Sequence, residues 1–165
     1  TRIHRVLDGG CGTGLCAPQI REWAASLHGV DLSSQMLVVA GEGGLYDELH
    51  CRELVQYLRS SAEDYDAIVM ADVLVYLGAP QEVLSAAYQA LRPGGALVFT
   101  AECSADEGPA LVLGASGRFA HNPTSLEGCA RIAGFDDVVL SDAPLRTENG
   151  ELVSAVLGTA VRLAS

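Results

Sequence analysis

A chain of 165 residues with 49% hydrophobic content and 18 glycines is expected to fold as one domain with a buried core, which excludes a disordered chain. The formal charge is −11 and all ten basic residues are arginines, which excludes lysine chemistry such as a Schiff base or a Walker-type phosphate clamp. So acidic a chain also lacks the basic footprint of a nucleic-acid binder, and nucleic-acid substrates are disfavoured.

The apolar runs, such as Ala67–Ala71 and Ala155–Leu157, fall far short of the ~20 residues of a membrane span. Thr1-Arg2-Ile3-His4-Arg5 leads straight into the first strand and does not read as a secretory signal. The cysteines, Cys11, Cys16, Cys51, Cys103 and Cys129, are odd in number, form no C-x-x-C pair and sit in apolar segments. They read as free thiols in a reducing compartment, so a cytoplasmic location is expected.

In chain order, Val6–Ala17 (VLDGGCGTGLCA) is a strand running into a glycine turn and then a helical pattern. Glycines there allow close backbone approach, and the helix N-terminus offers N–H groups to an electron-rich ligand. Ile20, Trp23, Ala24 and Leu27 fall on one helical face, with Pro18 in the first turn and Gly29 as the stop. Val30-Asp31-Leu32 reads as a very short strand, and Ser33 or Ser34 caps a helix through Met36 to about Ala40.

A third strand is placed at about Glu48–Cys51, followed by a helix from about Glu53 to Arg59. Tyr65–Ala71 is apolar on both faces, as an interior parallel strand would be. Ala79-Pro80 opens a helix that Arg92-Pro93-Gly94-Gly95 stops before a strand at Ala96–Ala101. Glu102–Pro123 reads as a long polar loop, a class of segment that is often functional. A helix at Thr124–Ala133 and strands at Val138–Ser141 and Leu152–Leu163 complete the chain, with Glu148-Asn149-Gly150-Glu151 as a tight turn. The alternation predicts a three-layer α/β/α sandwich around a mostly parallel sheet, with ligands at the carboxyl ends of the strands.

Two readings of the turn compete. Gly12–Ala17 satisfies G-x-G-x-x-A, a dinucleotide fingerprint, with Asp31 further on to bind a ribose. The other reading includes Asp8. A carboxylate at the end of the first strand repels a pyrophosphate and suits a ligand with a positively charged amino-acid portion.

Asp8–Gly14 (DGGCGTG) resembles motif I, D-x-G-C-G-T-G, of class I S-adenosylmethionine-dependent methyltransferases. Val30-Asp31-Leu32-Ser33 with Met36, then YDAIVMADVLVYLG, LRPGG and the terminal hairpin extend the resemblance over nearly the whole chain. More narrowly, GLYDELHCRELVQYL, ADVLVYLG, GRFAH and LRTENGELV resemble predicted methyltransferases often joined to tetratricopeptide repeats, which are absent from this sequence.

The resemblance implies a Rossmann-like seven-stranded sheet of order 3-2-1-4-5-7-6 whose last strand is antiparallel. It implies one methyltransferase domain over residues 1–165, without the usual N-terminal lid helices, and an upstream domain or partner completing the acceptor site. The implied cofactor is S-adenosyl-L-methionine, with S-adenosyl-L-homocysteine as product. By position, the backbone of Gly9, Gly10, Cys11 and Gly12 would face the methionine portion and Asp8 would orient its amino group. Asp31 would take the ribose hydroxyls, while Leu32 and Met36 would flank the adenine. Glu53 and the Leu54 backbone would meet the adenine edge, and the Ala71 carbonyl the cofactor amine. Gly9 departs from the commoner Leu or Val of motif I.

The Asn/Asp-Pro-Pro-Tyr/Phe motif of amino-methylating enzymes is replaced by Ala71-Asp72-Val73-Leu74. Candidates for a catalytic base are His121, Tyr76 and Asp72. Asp72 with Glu102 resembles part of the carboxylate set of magnesium-dependent O-methyltransferases, but the third ligand pattern is unmatched. His4, His28 and His50 show no ligand spacing and read as structural, so no metal is expected. The expected function is methyl transfer to a small-molecule acceptor at O or N. The alternatives are a non-catalytic S-adenosylmethionine-binding module and an NAD-dependent oxidoreductase.

Overall fold

Adjacent side chains of the two central strands point into different clusters, and that alternation defines the layers. A computed structural model describes residues 3–104, 107–148 and 151–164. Its strands are β1 (Ile3–Gly9), β2 (Ala24–Asp31), β3 (Glu48–Cys51), β4 (Tyr65–Met70), β5 (Leu91–Glu102), β6 (Leu111–Leu113), β7 (Phe119–His121), β8 (Asp137–Glu148) and β9 (Glu151–Val161). Its helices are α1 (Ala17–Arg21), α2 (Ser34–Glu42), α3 (Leu54–Arg59), α4 (Pro80–Ala90) and α5 (Pro123–Ala133), with a 3-10 turn at Leu74–Tyr76.

On β1 and β4, Leu7, Ile68 and Met70 face a large core shared with α3, α4 and α5. Val6 and Ala67 face a smaller cluster with Ala17 and Ile20 of α1. Strands buried on both faces need no polar alternation, which is why Ala67–Met70 of β4 is apolar at every position.

The main sheet has the order β3-β2-β1-β4-β5-β9-β8. The first five strands pair in parallel, and β9 is antiparallel to both β5 and β8. With the small β6–β7 ribbon set aside, this is the expected 3-2-1-4-5-7-6 order.

Three expectations are corrected. The helix read through Leu27 stops at Arg21, and Ala24–Asp31 is instead a strand in register with β1. Ala24 and Leu27 satisfy helical spacing, but a strand buried on both faces accommodates the same residues, and six register pairs with β1 decide the outcome. The segment read as a structureless loop contains the antiparallel β6–β7 ribbon, which joins Leu111 to His121 and Leu113 to Phe119. The helix stops before Arg92 as expected, at Ala90, but the strand expected from Ala96 begins at Leu91, and Arg92-Pro93-Gly94-Gly95 is a register shift within it: Tyr65 pairs with Leu91, and Ala67 next with Ala96. The predicted Asn149-Gly150 turn lies outside the described residues. Among the described residues no helix is long and apolar enough to cross a membrane.

Candidate functional site

From β1 the chain runs outward through β2 and β3, then returns to place β4 on the other side of β1. Such a switch point leaves a crevice at the carboxyl ends of the strands. A cavity of about 690 Å³ lies there, floored by the glycine turn after β1 and walled by the residues that follow β2, β3 and β4. Of the predicted cofactor residues, Asp8, Gly10, Cys11, Gly12, Asp31, Leu32, Met36, Glu53, Leu54 and Ala71 line it. Gly9 does not. A side chain there would point at Leu54 and Met70, so its backbone belongs to the strand end rather than to the cavity wall.

The turn is bonded to the end of β2 and to itself. Gly10 and Cys11 both donate to the Val30 carbonyl at 2.8 and 3.0 Å, and Gly14 donates to the Cys11 carbonyl at 2.9 Å. Gly12 donates to Asp31 Oδ2 at 2.9 Å. These N–H groups are therefore already satisfied, contrary to the reading of the turn as an open N–H cradle, and α1 beyond it is only five residues long. The arrangement disfavours a pyrophosphate and leaves carboxylates as the main polar groups of the floor.

Asp8 is buried at the cavity floor and accepts a 2.6 Å hydrogen bond from the Tyr46 hydroxyl. Burial pushes its carboxyl up to about 6, opposed by the Tyr46 hydrogen bond and reinforced by the charge on Asp31. Burial beside Asp8 and Asp31 likewise pushes the Cys11 thiol up to about 12, so Cys11 acts as an uncharged wall.

Asp31 ends β2 with both oxygens oriented. Oδ2 accepts from Gly12 N, and Oδ1 accepts from Ser33 N at 2.8 Å. Each oxygen keeps a further lone pair for a hydroxyl donor. Ser33 in turn caps α2 by accepting from Met36 N, which sets Met36 against the cavity. Glu53 has a role that the sequence reading missed. It caps α3, its Oε1 accepting from Val55 N at 3.0 Å and its Oε2 from Gln56 N at 2.8 Å. Leu15, Leu32, Met36 and Tyr76 are large apolar side chains left exposed around the opening. An apolar rim over a carboxylate floor suits a ligand with a flat apolar part, hydroxyls, a cationic amine and no phosphate.

On the β4 side, the chain turns through Ala71, Asp72 and Val73, with Asp72 in the left-handed region at φ 55°. Asp72 N donates to Thr100 Oγ1 at 2.8 Å, which ties the turn to β5. Gly10 (φ 75°) admits this turn: a Cβ there would lie 2.6 Å from Val73 Cγ2. Of the three candidate bases, Asp72 and Tyr76 line the cavity. Arg118 of the loop before β7 lies over the Tyr76 ring at 5.6 Å and 3.7 Å from Asp72.

His121 does not line the cavity. It is buried, its Nε2 donates to the Leu74 carbonyl at 2.9 Å, and its Nδ1 has no hydrogen-bond partner among the described residues. Burial lowers its pKa, so it is a neutral imidazole that holds the 3-10 turn in place. The expectation of His121 as a base is replaced by that positioning role.

Residues 7–97, more than half of the chain, match the family model described as a methyltransferase domain. The chain belongs to the methyltransferase-domain family. It is 31% identical over 100 residues to a ubiquinone biosynthesis O-methyltransferase of Idiomarina loihiensis, a match covering 58% of this chain and 41% of that protein. The chain thus spans about two fifths of the length of the curated relatives it matches.

Among solved structures, the [4+2]-cyclase SpnF superposes with a TM-score of 0.82 at 20% identity, covering 99% of this chain and 76% of that one. The 1,6-didemethyltoxoflavin-N1-methyltransferase of Burkholderia thailandensis, bound to 1,6-didemethyltoxoflavin and S-adenosylhomocysteine, gives 0.76 at 21% identity over 98% and 72%. At such identities the likeness is one of fold.

Within this methyltransferase domain, Tyr46 is the residue that sequence reasoning missed. Its ring fits against two glycines: a Cβ on Gly14 would lie 3.1 Å from Tyr46 Cε2, and one on Gly29 would lie 3.0 Å from Cε1. A glycine within a buried strand, such as Gly29, is the sequence signal of such a close approach.

Proposed function

We propose that this chain is an S-adenosylmethionine-dependent methyltransferase acting on a small-molecule acceptor at oxygen or nitrogen. The observation that carries this reading is the pair of carboxylates, Asp8 and Asp31, set across a turn whose N–H groups at Gly10, Cys11, Gly12 and Gly14 already have protein partners. When bound, S-adenosylmethionine supplies a sulfonium methyl group to an in-line displacement and leaves as S-adenosylhomocysteine.

The ionised Asp8 favours the cationic amino group on the cavity floor, with the Ala71 backbone beside it. Asp31 takes the ribose hydroxyls on its remaining lone pairs. Leu32, Met36 and Leu54 hold the adenine by apolar contact at the rim, where Glu53 also lies. Tyr76 and Asp72 stand on the acceptor side, and positioning rather than proton abstraction supplies most of the acceleration. The O-methyltransferase relatives support oxygen as the acceptor atom. The exposed Leu15, Leu32 and Tyr76 support an upstream domain or partner that completes the acceptor site. The free cysteines fit a cytoplasmic location.

A second reading, a cofactor-binding module without turnover, is favoured by one observation: His121 is buried away from the cavity. Incubation with S-adenosylmethionine and a panel of phenols and amines separates the two. Acceptor-dependent release of S-adenosylhomocysteine supports the enzyme. Tight binding with no release supports the module.

A further inference from the structure

We propose that His28, Glu48 and His50 form a binding site for a zinc-type divalent transition-metal ion that staples the edge strand β3 to β2. No spacing in the sequence joins these residues; the strand register does. His28 of β2 pairs with Glu48 of β3, and His50 lies two residues on, so all three side chains share one face of the sheet.

The three ligand atoms lie within 4.8 Å of one another. His50 Nε2 is 3.2 Å from Glu48 Oε2, and His28 Nδ1 is 3.9 Å from the same oxygen. Tetrahedral zinc with bonds of about 2.0–2.1 Å sets its ligands roughly 3.4 Å apart. Both pairs that include Glu48 Oε2 are already within about half an ångström of that spacing, and rotation of the side chains must bring the two imidazole nitrogens closer. Two imidazoles and a carboxylate are the donor set that zinc and its neighbours prefer over magnesium or calcium.

His50 Nε2 supplies an independent observation. This atom is buried and makes no hydrogen bond among the described residues, although the carboxylate oxygen is within reach. A shared ion would satisfy this nitrogen and the neighbouring carboxylate oxygen together. Around the cluster the packing is aromatic. The His50 ring lies 4.8 Å from that of Tyr57, and the His28 ring 5.8 Å from that of Tyr65. Tyr65 OH lies 3.4 Å from His28 Nδ1 but also 2.6 Å from Tyr57 OH. Its proton can pass to the shorter bond, which frees the imidazole lone pair.

The physical consequence is local. β3 has four residues and pairs only with β2, so it is the least supported strand of the sheet. A metal bridging His28 to Glu48 and His50 ties it across the ladder, three residues before Asp31.

The test is calorimetric titration of the full chain with zinc, with thermal melts in zinc or in chelator, for wild type, Glu48→Gln and His50→Ala. Both substituted side chains are partly exposed, so the variants should fold. The expected result is one equivalent bound by wild type, weakened roughly 100-fold in each variant. Saturating zinc should raise the wild-type melting midpoint by about 5 °C and leave those of the variants unmoved. Cobalt(II) should give weak d–d bands without thiolate charge transfer. No binding, binding by both variants as tight as by wild type, or a thiolate charge-transfer band would each overturn the proposal, the last by moving the metal to a cysteine.

Discussion

The Tyr46 hydroxyl donates a 2.6 Å hydrogen bond to Asp8 Oδ2, joining the loop before β3 to the end of β1 beneath the cavity. This bond opposes the burial that lifts Asp8 to about 6. Cofactor binding needs the charged carboxylate, so affinity should fall as pH drops through about 6. Tyr46→Phe keeps the ring against Gly14 and Gly29 but removes the bond. The midpoint of the pH profile of S-adenosylhomocysteine binding should move upward by about one unit. Calorimetry across pH 5–8 checks it, and an unmoved midpoint would detach Tyr46 from the site.

The same burial has a consequence for stability. Asp8 titrates at about 6 in the fold, against an ordinary value of 3.8. Between these values the folded chain holds a proton that the unfolded chain has released, so stability falls as pH rises through the window. Above about 6 the cost is fully present, on the order of 2–3 kcal/mol. Asp8→Asn should therefore raise the melting midpoint of the ligand-free protein by several degrees at pH 7.5 while abolishing cofactor binding. The gain should vanish below pH 4. Thermal melts at both pH values measure it.

Gly10 and Val73 interlock the turns after β1 and β4. Gly10→Ala places a methyl group 2.6 Å from Val73 Cγ2 on a backbone with φ 75°. A loss of about 2–3 kcal/mol is expected in denaturant unfolding. Adding Val73→Ala should restore part of it, because the clash is relieved while the backbone strain persists.

His121 supports the 3-10 turn that carries Tyr76 into the cavity wall. His121→Ala should destabilise the fold by roughly 1–3 kcal/mol. Once an acceptor is in hand, the variant should keep the shape of the wild-type pH–rate profile. Loss of a limb near neutrality would restore His121 as a base.

Where one physical signal dominated, the sequence was readable. β4 is a buried apolar run, α4 opens at Ala79-Pro80 as expected, and the glycine turn with Asp8 and Asp31 lies where the pattern put it. β2 was not readable, because Ala24 and Leu27 serve a helix face and a doubly buried strand equally well. The Glu53 cap is local and was open to a reading of the helix start, whereas Tyr46 and the His28–Glu48–His50 cluster emerge only from tertiary placement. Their partners are set by strand register and loop path, which no local spacing encodes. His121 misled for the opposite reason: a histidine in a polar segment reads as available until the β6–β7 ribbon buries it.

The central claim is that the two carboxylates of this cavity hold the methyl donor. Calorimetric titration of S-adenosylhomocysteine into wild type and Asp31→Ala at pH 7.5 tests it most directly. The account predicts one bound equivalent for wild type and roughly 100-fold weaker binding for the variant, which loses the ribose acceptor and the ligand of Gly12 N. Equal affinity in the two proteins, or no binding to wild type, would contradict it.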